Sequence, residues 1–257
     1  MLALLSPAKS LDFTPPPPDL GHSQPACLKQ TRILAAHLRT LKKAELKNLL
    51  KVSDKLADLN YQRYQAFKTP FTPENAKQAA LAFSGDVYQG LDATSLSAED
   101  LKWAQDHLRI LSGFYGLLRP LDLIQPYRLE MGRALKTPSG DNLYSFWDDK
   151  LTLLAAKIAH QNGEPTIINL ASNEYFAALQ TEKLKSRLIT PGFREIRDGS
   201  PRFLSFFAKK ARGLMARYLI QNRISHAEDL KSFNLEGYRY DKKLSDGEQW
   251  IFSRQKK

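Results

Sequence analysis

The chain is poor in the residues and patterns that usually give a function away. It holds one cysteine, Cys27, which excludes an internal disulfide and a paired-cysteine metal site. Its histidines, His22, His37, His107, His160 and His226, show no ligand spacing, and nothing points to a carboxylate-only site. No metal and no cofactor is therefore expected. There is no Walker A loop, GxGxxG, GxSxG, HExxH or zinc-deaminase pattern. That removes the easily recognised enzyme classes but not enzymes in general. No apolar run approaches the ~20 residues of a membrane span, and the opening from Met1 to Pro7 lacks the basic lead-in of a signal peptide. A cytoplasmic protein is expected. Internal repeats and low-complexity tails are missing too.

What is present supports a sizeable core: 257 residues, 42% hydrophobic and 10% aromatic. Lys plus Arg minus Asp plus Glu is 38 − 27 = +11. An excess of this size is a statement about partners, and suits nucleic acid, phosphorylated ligands or an anionic surface.

Local signals order the chain. Leu2 to Leu5 reads as a buried strand leading into a loop with Lys9, and Pro15 to Pro18 as a rigid extended tract. Ala26 to Phe67 has a helical pattern, broken near Thr40 and Val52, with Ser53 as the N-cap of a helix from Asp54 to about Ala66. Further helices are expected from Thr72-Pro73-Glu74 to Gly85, from Ser97 to about Leu111, and from Asn142 to about His160. In the second half, Thr166 to Leu170 reads as a strand and Ala171 to Glu174 as the opening of a short helix. Arg187–Arg197 with Arg202–Phe206, and Gly237–Tyr240 with Gln249–Phe252, read as hairpins on either side of a helix from about Phe207 to Gln221. The fold class expected is α+β, or irregular α/β. It has a helical first half, a small mixed sheet with hairpins in the second, and one compact domain over 1–257.

Three groups of residues could carry function. In the helix after Ser205, Lys209, Lys210, Arg212 and Arg217 fall opposite an apolar arc that includes Phe203 and Phe207, with Gly213 in the basic face. A glycine there suits close approach of a phosphate backbone; a solvated basic face with a tolerated glycine is the alternative. On the same arc argument, the phenylalanines read as core rather than as stacking platforms. Leu111 to Gly116, with Gly113, Tyr115 and Gly116, resembles the glycine hairpin of a helix-hairpin-helix motif, whose backbone N–H groups meet phosphate; a glycine helix cap is the other reading. That segment opens a longer one, to Gly132, in which Arg119, Asp122, Arg128 and Glu130 are threaded between large apolar residues. Those charges either pair with each other or line a cleft. Finally, Lys9 follows the first strand, and Asn169, Ser172 and Glu174 follow or end the second. If the two strands are parallel neighbours, both clusters open on one sheet edge. Asp86, Arg128 and Glu130 could join them in acid–base chemistry. Helix capping is the preferred reading of Ser172 and Asn173, while for Glu174 a first-turn dipole role and a functional one stand level.

Taken in order, these motifs resemble one family. They are Ser6-Pro-Ala-Lys9, Val52 to Ala57, Gly85-Asp-Val-Tyr88, Leu111 to Asp122, Gln125 to Gly132, Ile168 to Tyr175 and Ala208 to Gly213. Together they resemble the bacterial YaaA family of peroxide-stress-resistance proteins along the whole chain. The resemblance implies a cytosolic protein of the hydrogen-peroxide response. Members limit oxidative damage to DNA and protein, with lowered free intracellular iron as the suggested route. It also implies a single α/β domain with a helix-hairpin-helix-like element and a basic DNA-binding cleft. No catalytic residues come with it.

Two functions are thus expected from different classes. In one, a monomer binds DNA without sequence preference through Lys209, Lys210, Arg212, Gly213, Arg217, Gly113, Tyr115, Gly116, Arg119 and Arg128. In the other, a lyase- or glycosylase-like enzyme acts on nucleic acid or nucleotide, with candidate catalytic residues Lys9, Asp86, Glu130 and Glu174. An iron-handling protein is the third reading.

Overall fold

The computed structural model describes residues 1–16, 20–137 and 139–255, so Pro17 and Pro18 of the proline tract lie outside it. The organising element is the strand Leu2–Leu5, every residue of which is buried. An uninterrupted apolar run has no solvent face to offer and belongs in the middle of a parallel sheet. It sits there, parallel to Leu108–Ser112 on one side and to Thr166–Leu170 on the other, with Leu5 opposite Ile110 and Leu170. Arg187–Arg197 and then Gln249–Gln255 extend the sheet in parallel. Antiparallel strands close both edges, Gly116–Leu118 on one and Arg239–Tyr240 on the other, while Ser200–Arg202 folds back on Arg187–Arg197. Among the described residues the sheet has eight strands.

The α/β character is thus stronger than the sequence reading. The first half is not simply helical; it supplies the central strand and one whole edge. The expected helix from Ser97 keeps its start, where Ser97 and Asp100 form a capping box, but ends at His107. The next five residues, Leu108–Ser112, pair with the first strand instead. Both outcomes bury Leu108 and Leu111, so the apolar spacing could not separate them. Of the helix expected from Thr72 to Gly85 only one turn forms, Ala79–Ala82, between the two-residue strands Lys77–Gln78 and Phe83–Ser84. Ala79 and Ala80, at the start of that turn, donate their N–H groups to the carbonyls of Asp122 and Pro120, both at 2.9 Å, and pairing of Lys77–Gln78 with Leu123–Ile124 and of Phe83–Ser84 with Ser10–Leu11 takes the place of a longer helix.

Other boundaries follow their local signals. Helices span Leu28–Thr40, Lys43–Leu50 and Asp54–Ala66, and Ser53 accepts from the Leu56 N–H. The predicted helix from Asn142 divides into Leu143–Trp147 and Lys150–Gln161 at Asp148, whose φ is +48°. The hairpin at Asp198-Gly199 has Ser200–Arg202 as its second arm, because the long helix begins at Ser205 and runs to Gln221.

The stretch from Leu111 to Gly132 does run through the interior. Its turn is a β-hairpin, not a helix-hairpin-helix, and Gly113, Phe114, Tyr115 and Gly116 are buried. Trp147 Nε1 donates to the Gly113 carbonyl at 3.0 Å. A Cβ on Gly116 would press on the Trp147 ring and on Cys27 Sγ. These glycines admit neighbouring core groups, and no phosphate can reach them. The threaded charges pair with each other: Arg119 with Asp122 at 3.0 Å, Arg128 with Glu130 at 3.3 Å. Among the described residues no helix is long and apolar enough to cross a membrane.

Candidate functional site

Parallel neighbouring strands end together, and the loops after Leu2–Leu5 and Thr166–Leu170 open on the same sheet edge. This is the edge where ligands bind in open α/β sheets. The two loops are tied together: the Ser172 N–H donates to Ser6 Oγ at 2.8 Å, and Ser6 Oγ reaches Ser172 Oγ at 3.3 Å. Tyr88 OH donates to the Ser6 carbonyl at 3.0 Å, bringing in the helix Asp86–Leu91. The long helix Ser205–Gln221 packs across that short one. Gly90 and Gly213 let the two backbones meet, since a Cβ on either would overlap the other helix's main chain. The crossing turns Lys209 and Arg212 toward the strand ends.

The result is a cleft of about 440 Å³ whose wall includes Lys9, Asp86, Tyr88, Glu174, Tyr175, Lys209 and Arg212. Two separately predicted groups, the strand-end cluster and the basic helix, therefore meet in one place. Lys9 is tethered from behind. Its Nζ lies 3.6 Å from Glu130, a buried carboxylate that also receives Arg128 at 3.3 Å and Arg133 at 2.7 Å. Burial pushes the Glu130 carboxyl up, but the hydrogen bond from Arg133 and the charges of Arg128 and Arg133 outweigh it and hold the group below the ordinary glutamate range. Glu130 is thus an anchor, fully engaged, and not a free acid or base. A small extension of the cleft runs between Lys9, Arg128, Glu130 and Tyr175.

Glu174 is exposed and positioned by the backbone, accepting from the Gly132 N–H at 3.0 Å. Asp86 opens its helix, where its charge complements the helix dipole. Among the described residues its carboxylate has no hydrogen bond or ion pair. Burial raises the Tyr88 and Tyr175 phenols, most of all by desolvation, so both stay neutral hydrogen-bonding groups. Arg212 is half-buried, and burial pulls its guanidinium below its ordinary value. Neither it nor the exposed Lys209 has a protein partner among the described residues. With three cations and two carboxylates, the wall is mixed rather than uniformly basic.

The other predicted contacts lie elsewhere. Lys210 is paired with Glu236. Arg217 donates to the carbonyls of Leu91 at 3.1 Å and Asp92 at 2.9 Å. Gly213 is buried against Val87 and so faces protein, not phosphate. Arg119 serves Asp122, and Asn169 Oδ1 is taken by the Ala171 N–H at 3.0 Å. The sequence reading gave no role to Arg133, and named Ser6 only within the Ser6-Pro-Ala-Lys9 motif. Arg133 was visible as an i, i+3 partner of Glu130; the role of Ser6 needs Ser172, 166 residues away.

The fold and cleft define an α/β protein with a charged pocket at the carboxyl ends of parallel strands. A family model described as peroxide stress protein YaaA matches residues 1–244, and the chain belongs to that family. It is 51% identical over 254 residues to a UPF0246 protein of Alteromonas mediterranea, covering 99% of this chain and 98% of the relative. UPF0246 proteins of Ralstonia nicotianae, 50% identical over 254 residues, and Cellvibrio japonicus, 49% over 255, each match 99% of both chains. The resemblance read from the motifs is borne out along the chain.

Proposed function

We propose that this member of the peroxide-stress family binds DNA and limits oxidative damage to it, and that the cleft, rather than an open helix face, is the binding site. The observation that carries the reading is Arg212. A half-buried guanidinium without a partner is costly to keep, and beside it stands Lys209, also unpartnered, facing a cavity. A phosphate supplies what both lack. The cleft falls in the size range of small-ligand pockets, ~300–1,000 Å³, and its 440 Å³ suit one nucleotide unit better than a duplex. The reading is therefore of DNA with unpaired or extruded nucleotides, held by phosphate contacts without sequence preference.

The test is fluorescence anisotropy with duplex, single-stranded and bubble DNA at two salt concentrations. Wild type is compared with Lys209→Glu and Arg212→Glu. Salt-sensitive binding, preferring strands with unpaired nucleotides and lost in both folded variants, is expected. Binding unaffected by either substitution removes the cleft from the DNA surface.

A second reading is favoured by Asp86 and Glu174. Phosphate grip has no use for carboxylates, yet two line the wall beside the cations. They suit a lyase- or glycosylase-like enzyme acting on the bound nucleotide, with Glu174 as acid–base group and Lys9 as amine nucleophile. Borohydride trapping of a DNA adduct that disappears in Lys9→Met supports it; no adduct with any damaged substrate counts against it. Lowered free iron would need a ligand set, and no group of three His, Cys, Asp or Glu side chains is gathered for a metal among the described residues.

A further inference from the structure

The two most exposed large apolar side chains of the described residues are Phe203, at 57%, and Phe206, at 55%. They stand three residues apart where the hairpin gives way to the long helix. The helical arc drawn from the sequence put Phe203 in the core. It fails because Phe203 precedes Ser205, the first helical residue, and so lies outside the helical period. Phe207 takes the inward position instead, under the Arg254 guanidinium at 5.1 Å. Phe206 and Lys209 are separated by one helical turn and share a face. Lys209 lines the cleft, so the exposed ring is one helical turn from a cleft residue.

Arginines predominate around these rings, and most of them are unengaged. The Arg194 guanidinium lies 5.5 Å from the Phe203 ring centre, and its hydrogen bond goes only to the neighbouring Phe193 carbonyl. Arg197 has a buried Nε without a partner, and Arg202 on the second hairpin arm is exposed. Glu195, a buried acid opposite Arg202 in the hairpin, is already taken by Tyr238 at 2.6 Å and Arg254 at 2.9 Å. Glu236 is held by Lys210 and Arg254, and Asp198 sits at the exposed hairpin tip.

Exposed aromatic faces flanked by free guanidiniums, one helical turn from the Lys209 that lines the cleft, match the chemistry of single-stranded nucleic acid. Bases stack on rings whatever their identity, and arginines hold the phosphates between them. Duplex bases have no free faces to offer. We infer that Phe203 and Phe206 form a stacking platform for unpaired bases, which feeds a strand into the cleft. The inference rests on the DNA-binding reading above and specifies the form of DNA taken.

The experiment compares wild type, Phe203→Ala/Phe206→Ala and Phe206→Trp, using a fluorescein-labelled single strand, a duplex of the same sequence, and a single strand carrying 2-aminopurine. Both side chains are more than half exposed, so the double variant keeps its fold, checked by thermal melting. Its single-strand affinity falls about tenfold or more, its duplex affinity is unchanged, and the 2-aminopurine signal seen with wild type is lost. Phe206→Trp keeps the affinity, and its added emission is quenched by the strand. If wild type binds single strands and the double variant binds them equally well, the platform is wrong while the DNA reading stands. If wild type binds no DNA, both fall. An equal loss on single strand and duplex overturns the platform. So does loss of binding to anionic phosphatidylserine vesicles with DNA affinity intact, which would make the patch a membrane contact.

Discussion

Gly213 of the long helix and Gly90 of the short one stand against each other's neighbours. A Cβ on Gly213 would overlap the Val87 carbonyl, and one on Gly90 would overlap the Lys210 carbonyl. Both clashes are with backbone, which cannot turn aside as a side chain can. Either glycine replaced by alanine forces the helices apart and is expected to destabilise the fold by about 1–3 kcal/mol or more. Urea unfolding of Gly213→Ala measures this. A stability equal to wild type would show that the crossing is looser than described.

Glu130 neutralises Arg128 and Arg133 and tethers Lys9. Glu130→Gln keeps the volume and removes the charge, leaving two mostly covered guanidiniums without their counter-ion. A loss of about 3 kcal/mol is expected. The pH dependence follows from the direction of the shift. The folded carboxyl titrates below its ordinary value, so its contribution is complete above that value of 4.5 and is lost as pH falls through the depressed folded one. The urea midpoint of wild type should therefore drop on acidification below about 4.5, and that of Glu130→Gln should drop less.

Arg212 makes the opposite prediction. Because it is half-buried without a partner, Arg212→Met should leave the melting temperature unchanged or raise it, while DNA affinity falls and the salt slope of binding shrinks by about one. Function and stability then pull in different directions at this residue. A variant that melts earlier and binds normally would mean that the guanidinium is structural.

Arg119 is the matching control. It was a candidate DNA contact, yet its guanidinium holds the buried Asp122 carboxylate at 3.0 Å and the Gln24 carbonyl at 3.0 Å. Arg119→Ala should cost about 2 kcal/mol in chemical unfolding and leave the affinity of the folded protein for DNA as it was.

Cys27 bears on the peroxide response directly. It is buried at 8% exposure, and desolvation raises its thiol, with the nearby Asp122 charge adding to the effect against a hydrogen bond at Leu117. A thiol kept protonated and covered is a poor peroxide target. Mass spectrometry after peroxide treatment should find Cys27 unoxidised in the native protein, and thiol reagents should label it only on unfolding. Rapid sulfenic acid formation would overturn this and make the cysteine a sensor.

What the sequence determined by itself is whatever acts within a turn or two of chain. Ser53 and Ser97 announce helix starts, the Leu2–Leu5 run announces a buried strand, and the Thr166–Leu170 strand appears at its predicted limits. The order of the motifs identified the family. The tertiary structure alone decided which charges are free. Lys210, Arg217 and Arg223 look the same in sequence as Lys209 and Arg212, but Glu236, Asp92 and Asp100 engage them from distant segments. It also decided that Leu108–Ser112 is a strand, because the partner that makes it one is more than a hundred residues away. Capping and periodicity are local, so they can be read along the chain. Neutralisation of a charge, or the seating of a glycine against a backbone, depends on a partner that only folding brings near.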